Sequence, residues 1–252
     1  MLKYDKWGGL IKLKYVIIDK RMRDIEREKI KQLGFEIIEI EENNELYPEI
    51  SSHVDISCLK INKNLIIDKY QYERINKKLC SNIDIKGYKG NSNLQKRYPN
   101  DIAYNVAIVG NNAIHNFKYT DKKALEILKK EKYNLIHVNQ GYANCSIAII
   151  DENSVITTDK GIYNNLIDYD FDILFMEDFL DIKLLNGNNY SIKKGFIGGA
   201  ISKIENYIFV SGDLNKIDKD NKIRKFIINK GLKIIEFEGL DVIDYGGIIC
   251  IS

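Results

Sequence analysis

Hydrophobic positions in this chain fall in short runs closed off by Asp, Asn or Gly, and the runs repeat. Lys14-Tyr15-Val16-Ile17-Ile18-Asp19-Lys20 returns as Lys63-Asn64-Leu65-Ile66-Ile67-Asp68-Lys69. It returns more loosely as Ser154-Val155-Ile156-Thr157-Thr158-Asp159-Lys160 and as Tyr207-Ile208-Phe209-Val210-Ser211-Gly212-Asp213. A second phrase, Leu33-Gly34-Phe35-Glu36-Ile37-Ile38-Glu39, reappears as Lys230-Gly231-Leu232-Lys233-Ile234-Ile235-Glu236. Self-similarity at a spacing of tens of residues marks one supersecondary unit used several times. Short apolar runs bounded by turn residues are strands.

The segment from Tyr142 to Met176 shows the unit. Asn144 to Ile150 is a strand, Asp151-Glu152-Asn153 a turn, and Ser154 to Thr158 the returning strand. Short polar side chains bond the local backbone there and tolerate positive φ. Asp159 stands where a helix N-cap belongs. A short helix follows, and Phe171 to Met176 is a third strand. The same strand-strand-helix-strand order fits hairpins at His53 to Ile67, Tyr104 to His115 and Gly198 to Val210. Asp68 and Thr120 are the expected caps, and Gly231 the expected helix stop in the left-handed region. The N-terminal part opens on a second strand, Tyr15 to Ile18, capped by Asp19, with a helix buried through Met22, Ile25, Ile30 and Leu33. The C-terminal segment from Asp244 to Ser252 reads as a first strand with nothing after it. Joined, the two ends make a fifth unit and leave no terminal edge exposed. Lys86 to Pro99 and Asp181 to Lys194 are polar and read as loops.

The chain of 252 residues reads as a single domain spanning 1–252. Its 38 basic residues against 36 acidic ones leave a net charge of +2, which gives no electrostatic case for nucleic acid or a membrane surface. No apolar run is long enough to span a bilayer, and Met1 to Leu13 lacks the core and cleavage site of a signal peptide. Four cysteines, none in a Cys-x-x-Cys pair, fit reduced thiols in the cytoplasm and speak against a metal site. Neither a metal nor a cofactor is expected, and the oligomeric state is not legible.

Five such units closed by the termini resemble the pentein fold, the β/α-propeller of guanidino-group-modifying enzymes. Arginine deiminase, agmatine deiminase, dimethylarginine dimethylaminohydrolase and the amidinotransferases share it, as does a non-enzymatic ribosome anti-association factor. The segments His53-Val54-Asp55-Ile56, Gln140 to Ser146, Gly195-Phe196-Ile197-Gly198-Gly199 and Asp244-Tyr245-Gly246-Gly247 resemble an uncharacterised bacterial family of this fold. The resemblance implies an α/β fold of five ββαβ units with pseudo-five-fold symmetry, closed by pairing of the N- and C-terminal segments. It also implies that the starts of the first strands face a central cavity.

Aligning the hairpin turns then puts His53 and Asp55, Tyr104 and Asn105, Asn144 and Cys145, Gly198 and Gly199, and Tyr245 and Gly246 at equivalent levels. Thiolate attack on a guanidinium carbon needs an activated thiol, a proton shuttle and carboxylates for the cation. Cys145, His53 and Asp55 could supply those parts, with Asn105, Asn144, Gly198, Gly199, Asp244 and Gly246 as ligand-binding positions. Each also has a plain reading: Cys145 as a small buried hydrophobe, His53 and Asp55 as a structural pair, Asp244 as a turn brace, the glycines as close-packing points. His115, His137, Cys58 and Cys80 read as structural or surface residues. Cys250 follows a glycine pair near the C-terminus, as the nucleophile of the related enzymes does, and is the alternative nucleophile. The turn alignment sets it opposite Ile149, a different level from Cys145. The enzymes' Glu-Gly-Gly-Asp motif survives here only as Gly198-Gly199. Two functions follow from the resemblance. One is a hydrolase or transferase acting through a cavity cysteine on a guanidino or amide-like molecule. The other is a catalytically silent pentein that binds a small polar or cationic ligand or serves as a protein-interaction scaffold.

Overall fold

The apolar runs form strands in the computed structural model, which describes residues 14–79, 84–177 and 180–251 and the backbone of residues 3–4 and 10–11. Among them are five three-stranded sheets of one design, in which the second strand pairs antiparallel with the first and parallel with the third. The first sheet is Ile249–Ile251, Lys14–Asp19 and Phe35–Ile40. The second is Cys58–Ile61, Asn64–Ile67 and Lys86–Lys89. The third is Ala107–Val109, Asn112–His115 and Asn134–His137. The fourth is Ile147–Ile149, Ser154–Thr157 and Asp172–Phe175. The fifth is Ile201–Ile204, Tyr207–Val210 and Lys233–Ile235. In every sheet a helix links the second strand to the third: Asp24–Gln32, Tyr72–Leu79, Lys122–Lys130, Lys160–Leu166 and Lys222–Asn229. The parallel pairing requires such a crossover. The C-terminal strand does complete the N-terminal sheet, with Cys250 opposite Val16.

Continuous apolar runs such as Val16-Ile17-Ile18 and Leu65-Ile66-Ile67 follow from burial on both sheet faces. Val16 and Ile18 pack with Ile204 and Phe209 of the fifth sheet, whereas Ile17 packs with Leu65 and Ile67 of the second. The other cores join the second sheet to the third, the third to the fourth and the fourth to the fifth.

Several expectations need correction. Lys86–Lys89 is the third strand of the second sheet, not a loop. Its Lys-Gly-Tyr-Lys sequence lies on an outer edge and carries no apolar run to betray it. The second expected loop contains a hairpin, Lys183–Asn186 with Asn189–Lys194. Its turn holds Gly187 at φ +57°, and Asn186-Gly187 is a hairpin signal. The first strands of the second, fourth and fifth sheets begin later than expected, because a helical turn precedes each. Asp19 caps no helix; Arg23 occupies that position, while Asp19 pairs with Arg21 and accepts from Ser52. Asp121, rather than Thr120, caps the helix Lys122–Lys130. Ile25 is 58% exposed, and the buried place on that helix belongs to Glu26, held by Arg23. Asp159 does cap its helix, and Gly231 does take positive φ. Among the described residues no helix is long and apolar enough to cross a membrane, and no cluster of three or more His, Cys, Asp or Glu could hold a metal ion.

Candidate functional site

The helical turns Val54–Ser57, Ala143–Ser146 and Ile197–Ala200 bring neighbouring units into backbone contact. The Asp55 N–H donates to Gly246 O (3.1 Å), Asn144 N–H to Asn105 O (3.3 Å), and Tyr245 N–H to Gly199 O (3.1 Å). The five levels aligned from the hairpin turns therefore meet in space.

At this level Asp55 is 4% exposed. Its Oδ2 accepts from Cys145 Sγ–H at 2.9 Å and from Asn144 Nδ2 at 3.1 Å. Its Oδ1 is buried and has no hydrogen-bond partner. Asn105 organises the thiol's segment. Its Oδ1 accepts from the N–H groups of Asn144 (2.8 Å) and Cys145 (3.2 Å), and its Nδ2 donates to Cys145 Sγ at 3.1 Å. Asp244 accepts from Gly246 N–H and Phe196 N–H, each at 2.8 Å. His53 Nδ1 lies 3.7 Å from Asp244 Oδ1, and neither ring nitrogen completes a hydrogen bond. The glycines make this closeness possible. A Cβ on Gly246, at φ +70°, would stand 2.7 Å from Asp55 Oδ1, and one on Gly199 would overlap the Asp244 carboxylate.

A cavity of about 260 Å³ adjoins this cluster, walled by the first strands of all five sheets. Asp55, Asn144, Gly198 and Gly246 line it; Cys145, His53, Asn105, Gly199 and Asp244 do not and stand behind them. Further along the strands the lining includes Lys60, Ile108, Ile149, Lys203 and Cys250. Each of these five is the residue paired with Leu65, Ala113, Val155, Ile208 or Val16, so they occupy one position of the repeat. All five are half-buried or exposed, whereas Asp55, Gly198 and Gly246 are buried, so the cavity opens at the lysine end. Cys250 therefore belongs to the mouth and Cys145 to the layer beneath the floor.

Cys145, the candidate nucleophile, lies outside the cavity lining, and burial raises its pKa well above the ordinary thiol value, with the charges of Asp55 and Asp244 raising it further. A thiol donating a hydrogen bond to a carboxylate is held neutral, and the thiolate is the nucleophile. Burial raises the Asp55 carboxyl to about 6, against the hydrogen bonds from Cys145 and Asn144. Burial also raises Asp244, partly offset by His53, and lowers His53 despite Asp244. In the folded protein, iodoacetamide at pH 7.5 should label Cys250 and spare Cys145. Peptide mapping by mass spectrometry that finds Cys145 alkylated first would overturn this. Cys58 is buried in the core between the first and second sheets, and Cys80 lies outside the described residues. His115 is buried between Thr120 Oγ1 and Gly141 O, and His137 is exposed.

Lys60, Lys203 and Ser202 on the cavity wall were not among the residues singled out from sequence. A signal existed: Lys60-Ile61-Asn62 and Lys203-Ile204-Glu205 place a lone lysine at the same repeat position, each before a residue at φ +51°.

The solved structures similar to this chain are pentein-fold enzymes. A cysteine-to-serine mutant of dimethylarginine dimethylaminohydrolase from Pseudomonas aeruginosa, complexed with citrulline, matches with a TM-score of 0.58 at 12% identity, over 92% of this chain and 93% of that one. A cysteine-to-serine variant of C. jejuni agmatine deiminase with substrate bound matches with a TM-score of 0.50 at 13% identity, over 96% and 91%. An amidinotransferase of the saxitoxin biosynthetic pathway from Microseira wollei matches with a TM-score of 0.50 at 11% identity, over 100% and 96%. At these identities the likeness establishes the pentein fold alone. No curated protein matches the sequence. Residues 17–249 match the model of a family of unknown function, DUF6873, and the chain belongs to that family.

Proposed function

We propose that this protein is a ligand-binding pentein whose cavity receives a small polar or cationic molecule at Asp55. In this reading residues 1–252 form one domain. Its five units stand around one axis with pseudo-five-fold symmetry, as a β/α-propeller closed by Ile249–Ile251 on Lys14–Asp19. The five cores, each shared by two sheets and the last joining fifth to first, support that ring.

One observation carries the ligand reading: Asp55 lines the cavity, and one of its carboxylate oxygens, Oδ1, is buried and met by no donor. Leaving a buried acceptor unpaired costs about 1–3 kcal/mol, and a donor arriving from the cavity removes that cost. A guanidinium or ammonium group offers both the N–H and the charge. The names of the solved relatives, an aminohydrolase of dimethylarginine, an agmatine deiminase and an amidinotransferase, support a guanidino compound as ligand. Cys145, behind Asp55 and protonated, positions the carboxylate rather than attacking the ligand. Asn105 fixes that thiol.

A second reading rests on Cys250, whose residue lines the mouth of the same cavity. It makes the protein a hydrolase or transferase acting through that thiol. A haloacetamidine adduct on Cys250 that agmatine blocks would support it.

A thermal-shift screen over guanidino compounds, amines and amino acids tests the main reading. Agmatine or arginine should raise the melting temperature, since a ligand that prefers the native state must stabilise it. Asp55→Asn should remove the shift while the variant stays folded. A shift that survives Asp55→Asn would sink the assignment.

A further inference from the structure

The charges on the cavity wall are unequal. At the buried end stands one carboxylate, Asp55; at the open end stand two amines, Lys60 and Lys203. Lys60 is half-buried, and its Nζ donates a hydrogen bond to the Cys250 carbonyl oxygen at 2.6 Å. Neither lysine has a carboxylate within ion-pair distance among the described residues; for the part-buried Lys60 this contrasts with Arg21 on Asp19, Arg23 on Glu26 and Arg224 on Glu236. Burial lowers the Lys60 pKa, and the Cys250 thiol beside it only partly opposes that shift. An ammonium taken out of water is normally paired. The sequence repeats the device, because Lys60 and Lys203 hold the same position of their units, where the third and fourth units carry Ile108 and Ile149. Two of five equivalent wall positions thus carry a cation that has no carboxylate partner among the described residues.

We propose that the mouth of the cavity is an oxyanion subsite built by Lys60 and Lys203, and that the ligand is a small molecule with a carboxylate at that end. The inference rests on the reading of Asp55 as the inner contact, and it narrows the ligand from any small cation to one with a carboxylate opposite its donor group. A cavity of about 260 Å³ lies just under the usual range for small-molecule sites and suits a ligand of amino-acid size. Hydrogen bonds to charged groups are the strong ones, so loss of one ammonium should weaken binding about ten- to hundred-fold.

Isothermal titration with four probes separates the subsites. Agmatine and 4-guanidinobutyrate share the guanidino group and differ at the other end, amine against carboxylate. Butyrate carries the carboxylate alone, and inorganic phosphate is the other common oxyanion. The wild type should bind 4-guanidinobutyrate at least tenfold more tightly than agmatine, and Lys60→Met, which keeps the apolar stem, should bring that ratio close to one. Lys203→Met should lower it less, since Lys203 is more exposed. If agmatine binds as tightly as 4-guanidinobutyrate, or if the ratio is unchanged in both variants, the subsite is refuted. An Asp55-dependent agmatine signal would then leave the inner-contact reading standing. If only butyrate binds, and only with Lys60 present, the subsite stands and the Asp55 reading falls. If phosphate alone shows the Lys60 dependence, the carboxylate assignment is wrong. Should Lys60→Met fail to fold, acetylation of wild-type Lys60 by N-hydroxysuccinimide acetate, read by mass spectrometry, gives the same answer: 4-guanidinobutyrate must protect Lys60 more than agmatine does.

Discussion

Gly199→Ala is expected to destabilise the protein by about 4 kcal/mol, a large share of the roughly 5–15 kcal/mol that holds a domain folded. The new Cβ would fall on the Asp244 carboxylate, within the van der Waals envelope of both oxygens and the carboxyl carbon. Overpacking of a buried site costs about 1–3 kcal/mol. Moving Asp244 aside would also strip acceptors from the Phe196 and Gly246 N–H groups, each buried donor costing about 1–3 kcal/mol when unmade. The control is Gly187→Ala. Gly187 also has positive φ, but nothing lies within 4 Å of its added Cβ, so only the backbone preference is lost, about 1 kcal/mol. Urea unfolding of the two variants should therefore give midpoints far apart. Equal midpoints would mean that Asp244 is free to move and that the polar cluster is looser than its geometry indicates.

This contrast also explains which parts of the molecule were legible in the sequence. The unit was legible because the middle strand of each sheet is buried on both faces, and double burial writes continuous apolar runs such as Leu65-Ile66-Ile67. The pairing of Ile249–Ile251 with Lys14–Asp19 was legible because a lone first strand had to pair somewhere. Lys86–Lys89 was not, since an edge strand with an exposed face needs no apolar residues. At the site, turn alignment correctly put Asp55, Asn105, Cys145, Gly199 and Gly246 on one level. It could not tell which of them the cavity would expose. That depends on the helical turns before the first strands, which rotate Cys145 behind Asp55 while Asn144 faces the cavity. Four-residue turns such as Ala143–Ser146 are too short to leave a helical period. Burial direction then decides chemistry: the Cys145 thiol is a neutral donor.

The second large effect is the part of the pH dependence of stability that Asp55 contributes; Asp68, also raised to about 6 by burial, and the raised Asp101 and Asp244 act in the same sense. Burial raises the Asp55 pKa from 3.8 to about 6 in the folded state. Between those values the native protein binds more protons than the unfolded chain, so the Asp55 contribution is fully present below about pH 3.8 and is lost as pH rises towards 6. That gap, at 1.36 kcal/mol per pH unit, amounts to about 3 kcal/mol. Two buried histidines act in the opposite sense. His53 is pushed below its ordinary value of 6.5 and His115 to about 4, so both cost stability as pH falls below 6.5. The wild-type profile alone therefore mixes opposing slopes, and the difference from Asp55→Asn isolates the carboxyl. Relative to wild type, Asp55→Asn should gain stability steadily from pH 4 to 6 and then level off. At pH 7.5 it should match or exceed the wild type, less whatever its amide loses by lacking an acceptor at the Oδ1 position. Urea denaturation at half-unit pH steps measures this directly. The same carboxyl sets ligand binding, because a guanidinium pairs with the ionised form. Agmatine affinity should weaken about tenfold per pH unit below 6 in the wild type. A wild type that gains stability over Asp55→Asn as pH rises from 4 to 7 would mean that Asp55 already has a cationic partner within the fold, leaving nothing at the cavity floor for a ligand to supply.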